Sequence, residues 1–215
     1  MPTPTLEEYL ETIYKLSLDG VVKPTRIAEA MGVSGPTVTA TLKRLESRGL
    51  VAREGTAVVL TAEGVADAVE IVRKHRISER FLTDVLGFDW TVAHEEACRL
   101  EHALSPRVVA ALESLLENPE FCPHGHPIPA ADGSIAAASG TSLAEAARDA
   151  VVEVVSVAED EGVLAYLAEQ GLVPGARVTV TAAEPFGGPL TVDVDGVQRV
   201  LALDVAARVR VRDAS

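Results

Sequence analysis

The first sixty residues follow a helical spacing of apolar positions in three successive stretches. Apolar residues recur on one helix face in "LEEYLETIYKLSL", and "TRIAEAMGVSGPTVTATLKRLESRGLV" contains two more helical patterns separated by Gly32-Val33. Ser34 is a good N-cap, and Pro36 stands in the first turn, where a proline costs no hydrogen bond. Two short β-type runs follow in "LVAREGTAVVLT". The pattern predicts a winged helix-turn-helix over residues 1–61.

The remaining chain divides by pattern into a helical segment, an aperiodic segment and a β-rich segment. Residues from about 62 to 116 keep the 3.6-residue period on both sides of "GFD", which predicts a helical domain over residues 62–122 of the kind that joins two subunits. Residues 123–142, rich in Pro, Gly, Ala and Ser, predict a linker. Residues 143–215 contain short β-type runs around one helical stretch, "VLAYLAEQG", and predict an SH3-like barrel. The expected fold class is therefore α+β.

Composition places the chain among soluble globular proteins, with 47% hydrophobic and 24% charged residues. Its unbroken apolar stretches are too short to cross a bilayer, and its start lacks the basic flank and apolar run of a signal peptide. We therefore expect a cytoplasmic protein without a membrane partner. Two cysteines, Cys98 and Cys122, give no disulfide framework, and in a reducing cytosol such thiols are buried side chains or metal ligands.

Charge distribution permits DNA binding by the N-terminal part of the chain. The net charge is −13, but residues 1–60 carry seven Lys/Arg and seven Asp/Glu, and distant charges are screened beyond roughly 8 Å. We expect the second helix of the motif to enter the major groove, although a helix-turn-helix can also serve packing alone. The expected DNA contacts are Arg26, Ser34, Pro36, Thr37, Thr39, Lys43, Arg44 and Arg53, with Arg48 also available. Because Ser and Thr read bases weakly, DNA shape is expected to supply much of the sequence preference.

The stretch "HEEACRLEH" combines the side chains that divalent transition metals prefer. On a helix, Cys98, Glu101 and His102 would share one face with His94 between Cys98 and Glu101. One helix rarely closes a metal site, so further ligands are expected from the pairs His75 and Glu79, and Glu8 and Glu11. Taken singly, each of these residues is more often an ordinary core or surface residue, whereas the group on one face favours a metal site.

A second stretch, "CPHGH", is ambiguous, because Cys122 and His124 could hold an ion or belong to a plain loop. Two cysteines without a repeated C-x-x-C exclude an ordinary structural zinc ribbon. Two other classes of protein stay open on these residues. One is a winged-helix regulator that senses an organic ligand or the oxidation of Cys98. The other, a metalloenzyme, is disfavoured because no substrate-pocket motif accompanies the metal-binding residues.

Together these motifs resemble the diphtheria toxin repressor family of metal-activated regulators, which includes manganese regulators. The resemblance is carried by "EEYLETIY", "IAEAMGVSGPTV", "RKHRISERFLTDVLG", "HEEACRLEH" and "HPIP", and it extends more weakly into the C-terminal domain. It implies a homodimer, not an enzyme, in which Fe²⁺ or Mn²⁺ switches on operator binding and represses metal homeostasis genes. One or two dimers are expected on each operator, and Co²⁺, Ni²⁺, Zn²⁺ or Cd²⁺ are expected to substitute in vitro.

The resemblance also implies two metal sites in each chain. By the family pattern the primary site uses Glu8, Cys98, Glu101 and His102, with Glu11 as a further ligand of the manganese branch. The ancillary site uses His75, Glu79 and His94, closed by Cys122, His124 and Asp160.

The chain departs from the family pattern at several positions. Glu8 replaces a methionine of the iron type, and Cys98 replaces a carboxylate of the manganese type. This mixture of hard and soft ligands leaves the choice between Fe²⁺ and Mn²⁺ open. Ala40 replaces a glutamine on the recognition helix, and Val163 replaces a polar ligand of the C-terminal domain.

Overall fold

The computed structural model describes residues 4–18, 20–137 and 139–214 and contains two compact units. The first comprises the described residues up to residue 75, with the short segments 100–104 and 129–134. The second comprises residues 76–99, 105–128 and 135–215. No helix in the described ranges is long and apolar enough to cross a membrane.

The first unit is a winged helix-turn-helix followed by the beginning of a long helix. Its elements in order are α1 (Pro4–Leu18), α2 (Pro24–Met31), α3 (Gly35–Ser47), β1 (Val51–Glu54), β2 (Ala57–Leu60) and α4 (Ala62–Asp84), which continues into the second unit. The two strands pair as an antiparallel hairpin, the wing. Helices and wing share one apolar core that includes Leu6, Leu10, Ile13, Ile27, Leu42 and Leu45. The winged helix-turn-helix predicted from the pattern is confirmed.

The turn between α2 and α3 follows from its residues. Gly32 takes a left-handed conformation, with φ of 62°, and the backbone N–H of Val33 then donates to the carbonyl of Ala28 at 3.0 Å. Ser34 caps α3 as predicted, since its hydroxyl accepts from the backbone N–H of Thr37 at 3.4 Å. This turn sets the start of the helix that is exposed for DNA.

The helices that follow α4 are shorter than the pattern predicts. α5 (Trp90–Leu100) and α6 (Pro106–Leu115) are separated by a turn, so the prediction of one continuous helix through "CRLEHALS" was wrong beyond Leu100. The two helices cannot merge, because a residue before proline is driven out of the helical region and Ser105, the N-cap of α6, is extended, with ψ of 154°. Glu101 and His102 therefore lie in a turn and not on a helix face.

The C-terminal part of the second unit is a six-stranded antiparallel sheet with two short helices. Its strands are β3 (Thr141–Ser142), β4 (Val151–Val157), β5 (Arg177–Ala183), β6 (Leu190–Val194), β7 (Val197–Leu201) and β8 (Val209–Asp213), in the spatial order β3-β8-β4-β5-β6-β7. The helices are α7 (Glu161–Glu169) and α8 (Leu203–Ala206). Alternate residues of the strands point into a separate core, which includes Val154, Val178, Val192 and Val211. The predicted α+β fold with a small SH3-like domain is confirmed.

The beginning of the segment that was expected to be a linker is an ordered loop. Phe121 and Pro127 form an isolated β-bridge, and the backbone N–H of Cys122 donates to the carbonyl of His126 at 2.8 Å. The backbone N–H of Val157 on β4 donates to the carbonyl of His124 at 3.1 Å, which fixes the loop on the sheet. We call residues 121–127 the CPHGH loop; Cys122 and His124 are buried in it.

Candidate metal centres

The first centre lies in the first unit, where α1, α4 and the turn after α5 meet. Its central group is the carboxylate of Glu101, which is 2% exposed and lies 2.6 Å from Nδ1 of His75. Glu11 of α1 completes a group of three whose ligand atoms all lie within 4.8 Å of one another. A largely buried group of two carboxylates and one imidazole at this spacing is suited to a divalent cation.

His102 contributes a second imidazole to the first centre. Its Nδ1 lies 2.8 Å from Oε2 of Glu7, and because a carboxylate only accepts, Nδ1 donates and the lone pair remains on Nε2. That Nε2 is buried, finds no hydrogen-bond partner among the described residues, and lies 3.4 Å from Oε1 of Glu101 and 3.8 Å from Oε1 of Glu8. Two ligands of one ion at bond lengths of about 2.1 Å lie roughly 3.0–3.8 Å apart. The residues of this centre therefore fit a metal ion.

Glu7 contacts His102 although the sequence pattern did not single it out. The signal was weak, because Glu7 stands beside Glu8 in an acidic first turn and gives no indication of which side chain faces His102. Glu7 holds the imidazole ring so that Nε2 points towards Glu8 and Glu101.

The environment of Glu101 changes its acidity. The pKa of Glu101 is raised to about 7, because the effect of burial outweighs the opposing hydrogen bond with His75 and the charge of Glu11 adds to it. In the metal-free protein this carboxyl group therefore keeps a proton at pH values where an exposed glutamate has lost it.

We expect metal affinity and metal-free stability to respond to pH in opposite directions. An ion must displace the Glu101 proton, so its affinity for the first centre rises between about pH 6 and about pH 8, by up to about tenfold per pH unit below 7. The metal-free folded chain holds this proton more tightly than the unfolded chain. Its free energy of unfolding therefore falls as pH rises from the ordinary glutamate value of 4.5 towards 7. Mn²⁺ titration calorimetry and urea unfolding at several pH values check both trends; two parallel trends would contradict this assignment.

The second centre lies wholly in the second unit. Oε1 of Glu79 on α4 lies 2.8 Å from Nδ1 of His94 on α5 and 3.1 Å from Nδ1 of His124 in the CPHGH loop. Glu79, Cys122, His124 and Glu159 bring their ligand atoms within 4.8 Å of one another. A thiol, an imidazole and two carboxylates thus face one another, with the imidazole of His94 beside Glu79. This ligand set is softer than that of the first centre.

Two features of this centre prepare it for a cation. Both ring nitrogens of His124 face acceptor oxygens: Nε2 lies 3.2 Å from the carbonyl oxygen of Trp90, and Nδ1 lies 3.1 Å from the carboxylate of Glu79. A cation bound between Nδ1 and that carboxylate would satisfy both groups, while the Trp90 carbonyl holds the ring in place. Burial raises the pKa of the Cys122 thiol, and the charges of Glu79 and Glu159 raise it further. Cys122 is therefore a neutral thiol without metal, and an ion bound there releases its proton.

Glu159, and not the predicted Asp160, reaches the second centre. Asp160 stands at the N-cap of α7 with its side chain 61% exposed, and it pairs with Arg208 at 2.5 Å. Glu159 is 9% exposed and lies 3.7 Å from Nε2 of His126 and 3.9 Å from Nε of Arg76. Neighbouring residues of an extended segment point to opposite sides, so only one of the two acidic residues can face the loop.

Two other predicted ligands are placed differently from the expected grouping. His75, expected in the ancillary site, has its Nδ1 beside Glu101 in the first centre. Cys98 lies in the last turn of α5 with its side chain exposed, and its part in the first centre stays a prediction.

The predicted DNA contacts lie on and around α3. Ser34, Pro36, Thr37, Thr39, Lys43 and Arg44 are exposed there. Two of the predicted phosphate contacts also have partners inside the protein: Arg26 donates to the carbonyl of Val21 at 2.9 Å, and Nε of Arg53 lies 2.7 Å from Glu46. Exposed pairs of this kind are weak, so phosphate can compete for both arginines.

A winged helix-turn-helix combined with two buried His/Glu clusters defines a metal-dependent DNA-binding regulator. Comparison with protein-family models gives a match to the N-terminal DNA-binding domain of iron-dependent repressors over residues 1–57. Their metal-binding and dimerisation domain matches over residues 61–130, and a FeoA domain matches over residues 141–213. The chain belongs to the iron-dependent repressor family, whose members are iron- or manganese-dependent transcriptional repressors and not enzymes.

Individual relatives include both iron and manganese regulators. The iron-dependent repressor IdeR of Mycobacterium leprae (strain TN) is 40% identical over 203 residues, which cover 87% of this chain and 88% of that protein. A solved manganese-dependent transcriptional repressor in complex with manganese superimposes with a TM-score of 0.89 at 32% identity, over 97% of this chain and 100% of that one. A crystal structure of ScaR with bound Cd²⁺ gives a TM-score of 0.87 at 32% identity, over 97% and 99%. The family resemblance seen in the sequence is confirmed.

Proposed function

We propose that the chain acts as a homodimer that binds operator DNA when metal-loaded and represses genes of metal homeostasis. The observation that carries this proposal is the composition of the first centre. Glu8 and Glu11 belong to α1 of the DNA-reading motif, while Glu101 and His102 belong to the turn after α5. An ion shared by these groups links α1 to that turn and so restrains the DNA-reading motif.

The charges of the centre explain why an ion is needed. Glu7, Glu8, Glu11 and Glu101 gather around two imidazoles, and without a cation the charge of Glu11 disfavours the charged form of the buried Glu101. A divalent ion bound by both sides favours the joined arrangement only to the extent that it binds that arrangement more tightly. In a dimer, such restraint would hold the two recognition helices about 34 Å apart, or a multiple of this, to meet successive major grooves.

We assign the two centres different ligand sets. The first comprises Glu8, Glu11, His75, Glu101 and His102, with Cys98 as a further candidate, and the second comprises Glu79, His94, Cys122, His124 and Glu159. Fe²⁺ or Mn²⁺ is the proposed effector, in line with the iron and manganese relatives; Co²⁺, Ni²⁺, Zn²⁺ and Cd²⁺ are expected to substitute in vitro. When bound, the ion supplies positive charge and fixed coordination, and no chemical step is required of it.

Location and assembly follow from the proposed role. A repressor acts where the DNA is, so we propose that the protein works in the cytoplasm, with one or two dimers on each operator. Sedimentation of the metal-loaded complex on a selected operator distinguishes the mass of one bound dimer from that of two.

We expect removal of metal to abolish operator binding. The test is anaerobic fluorescence anisotropy on a selected operator, with Fe²⁺ and Mn²⁺ titrated separately and a chelator added at the end. Tight binding with metal, reversed by the chelator, is the expected result, and the two curves rank the ions. Equal binding with and without metal would exclude a metal-activated repressor.

A further inference from the structure

The first two turns of α3 carry few groups that can hydrogen-bond to a base. Residues 34–40 read "SGPTVTA", so this end of the helix contains no amide, carboxylate or cationic side chain. Pro36, Thr37, Thr39 and Ala40 are exposed. At 100° per residue, Pro36 and Ala40 occupy the middle of the exposed face, and Thr37 and Thr39 lie on its two sides.

The hydroxyl groups of this face are largely occupied within the protein. The hydroxyls of Ser34 and Thr37 lie 2.8 Å apart and share one hydrogen bond, and Ser34 also accepts from the backbone N–H of Thr37. The hydroxyl of Thr39 donates to the carbonyl of Gly35 at 3.0 Å. Of three hydroxyl protons, two are therefore already used. Because the threonine hydroxyls form hydrogen bonds inside the protein, it is the methyl group of each threonine that is available to contact a base.

An apolar recognition face selects a particular feature of DNA. Thymine is the base that presents a methyl group in the major groove, and threonine and alanine methyl groups are suitable contacts for it. We propose that α3 recognises thymine C5-methyl groups in the operator through Thr39 and Ala40, which are therefore specificity-determining residues. The proposal rests on major-groove binding by α3, and it adds a direct apolar contact to any reading of DNA shape.

The test pairs changes in the protein with the matching change in DNA. Thymines of a selected operator are replaced one at a time by deoxyuridine, which lacks only the C5-methyl group, and binding is measured with saturating Mn²⁺. Thr39→Ser removes the methyl and keeps the hydroxyl, Thr39→Val does the reverse, and Ala40→Gly removes the other methyl. We expect deoxyuridine to weaken binding about fourfold at each contacted position.

The variants separate methyl contact from the alternatives. Thr39→Val keeps the methyl and is expected to keep the sensitivity to deoxyuridine, while Thr39→Ser and Ala40→Gly each become insensitive to deoxyuridine at one position. Deoxyuridine effects that are equal in the parent and in both methyl-deletion variants would indicate shape readout and overturn the proposal. Weak binding by Thr39→Val with normal binding by Thr39→Ser would overturn it in favour of hydroxyl readout. Chelator and scrambled-duplex controls show separately whether metal-dependent operator binding, and thus the repressor function, holds.

Discussion

The Glu101→Gln variant is expected to lose metal-activated operator binding while its metal-free form stays as stable as the parent protein or becomes more stable. Both oxygens of Glu101 are engaged, one beside His75 and the other facing His102. The amide keeps the shape but is a poor ligand, so metal affinity of the first centre should fall about 100-fold or more. The pKa of Glu101 is raised to about 7 because the charged form is unfavourable in this buried site. The neutral amide of glutamine avoids that unfavourable free energy.

Calorimetry with Mn²⁺, anisotropy on the operator and urea unfolding measure the three consequences together. Glu95→Gln is the matched control, because it removes the same charge from an exposed position on α5. We expect this control to retain the full metal response. A normal metal response in Glu101→Gln would remove Glu101 from the centre, and a large loss of metal-free stability would show that its role is structural.

The Gly125→Ala variant is expected to disrupt the CPHGH loop and, with it, the second centre. A Cβ at Gly125 would lie 1.9 Å from the carbonyl oxygen of Val155, and φ at this residue is +83°. The loop must move away from β4, which carries Cys122 and His124 out of position. We expect the free energy of unfolding to fall by about 3 kcal/mol or more, since steric conflict is added to backbone strain.

Gly133→Ala provides the matched control for this variant. Gly133 has the same φ of +83°, but a Cβ there would meet nothing within 4 Å, so only the backbone strain of about 1–2 kcal/mol is expected. Thermal unfolding and the thiolate-to-metal absorption band of bound Co²⁺ compare the two variants. Equal destabilisation, with the absorption band retained in both, would show that the loop tolerates displacement from the sheet.

Local signals account for the parts of the fold that the sequence predicted correctly. Ser34 and Pro36 define the start of α3 through nearest-neighbour chemistry, and the 3.6-residue period defines α1 to α4. The residue types of the centres were equally visible, because a dense group of His, Glu and Cys is unusual in an ordinary helix.

The grouping of the ligands was harder to predict, because it depends on contacts between distant segments. Glu101 and His102 were assigned to a helix face, but α5 ends at Leu100, and the turn that follows gives these two residues new directions. Which of Glu159 and Asp160 reaches the centre depends on the direction of the backbone after the end of β4. A helical or alternating sequence pattern does not give this direction. Glu7 was missed because its partner, His102, is far away in the sequence.

The internal hydrogen bonds of the CPHGH loop indicate how the binding energy of each ion is used. This loop is already ordered by its own backbone hydrogen bonds, so little of the binding free energy of an ion at the second centre is spent on ordering the loop. Glu8, by contrast, has a side chain that is 53% exposed, and fixing such a side chain costs up to about 1.5–2 kcal/mol of rotamer entropy. The ion at the first centre must offset that cost, and its binding turns an exposed side chain of α1 into a ligand with a fixed conformation. The second centre is thus preorganised for its ion, while metal binding at the first centre is coupled to the ordering of a side chain of the DNA-reading motif.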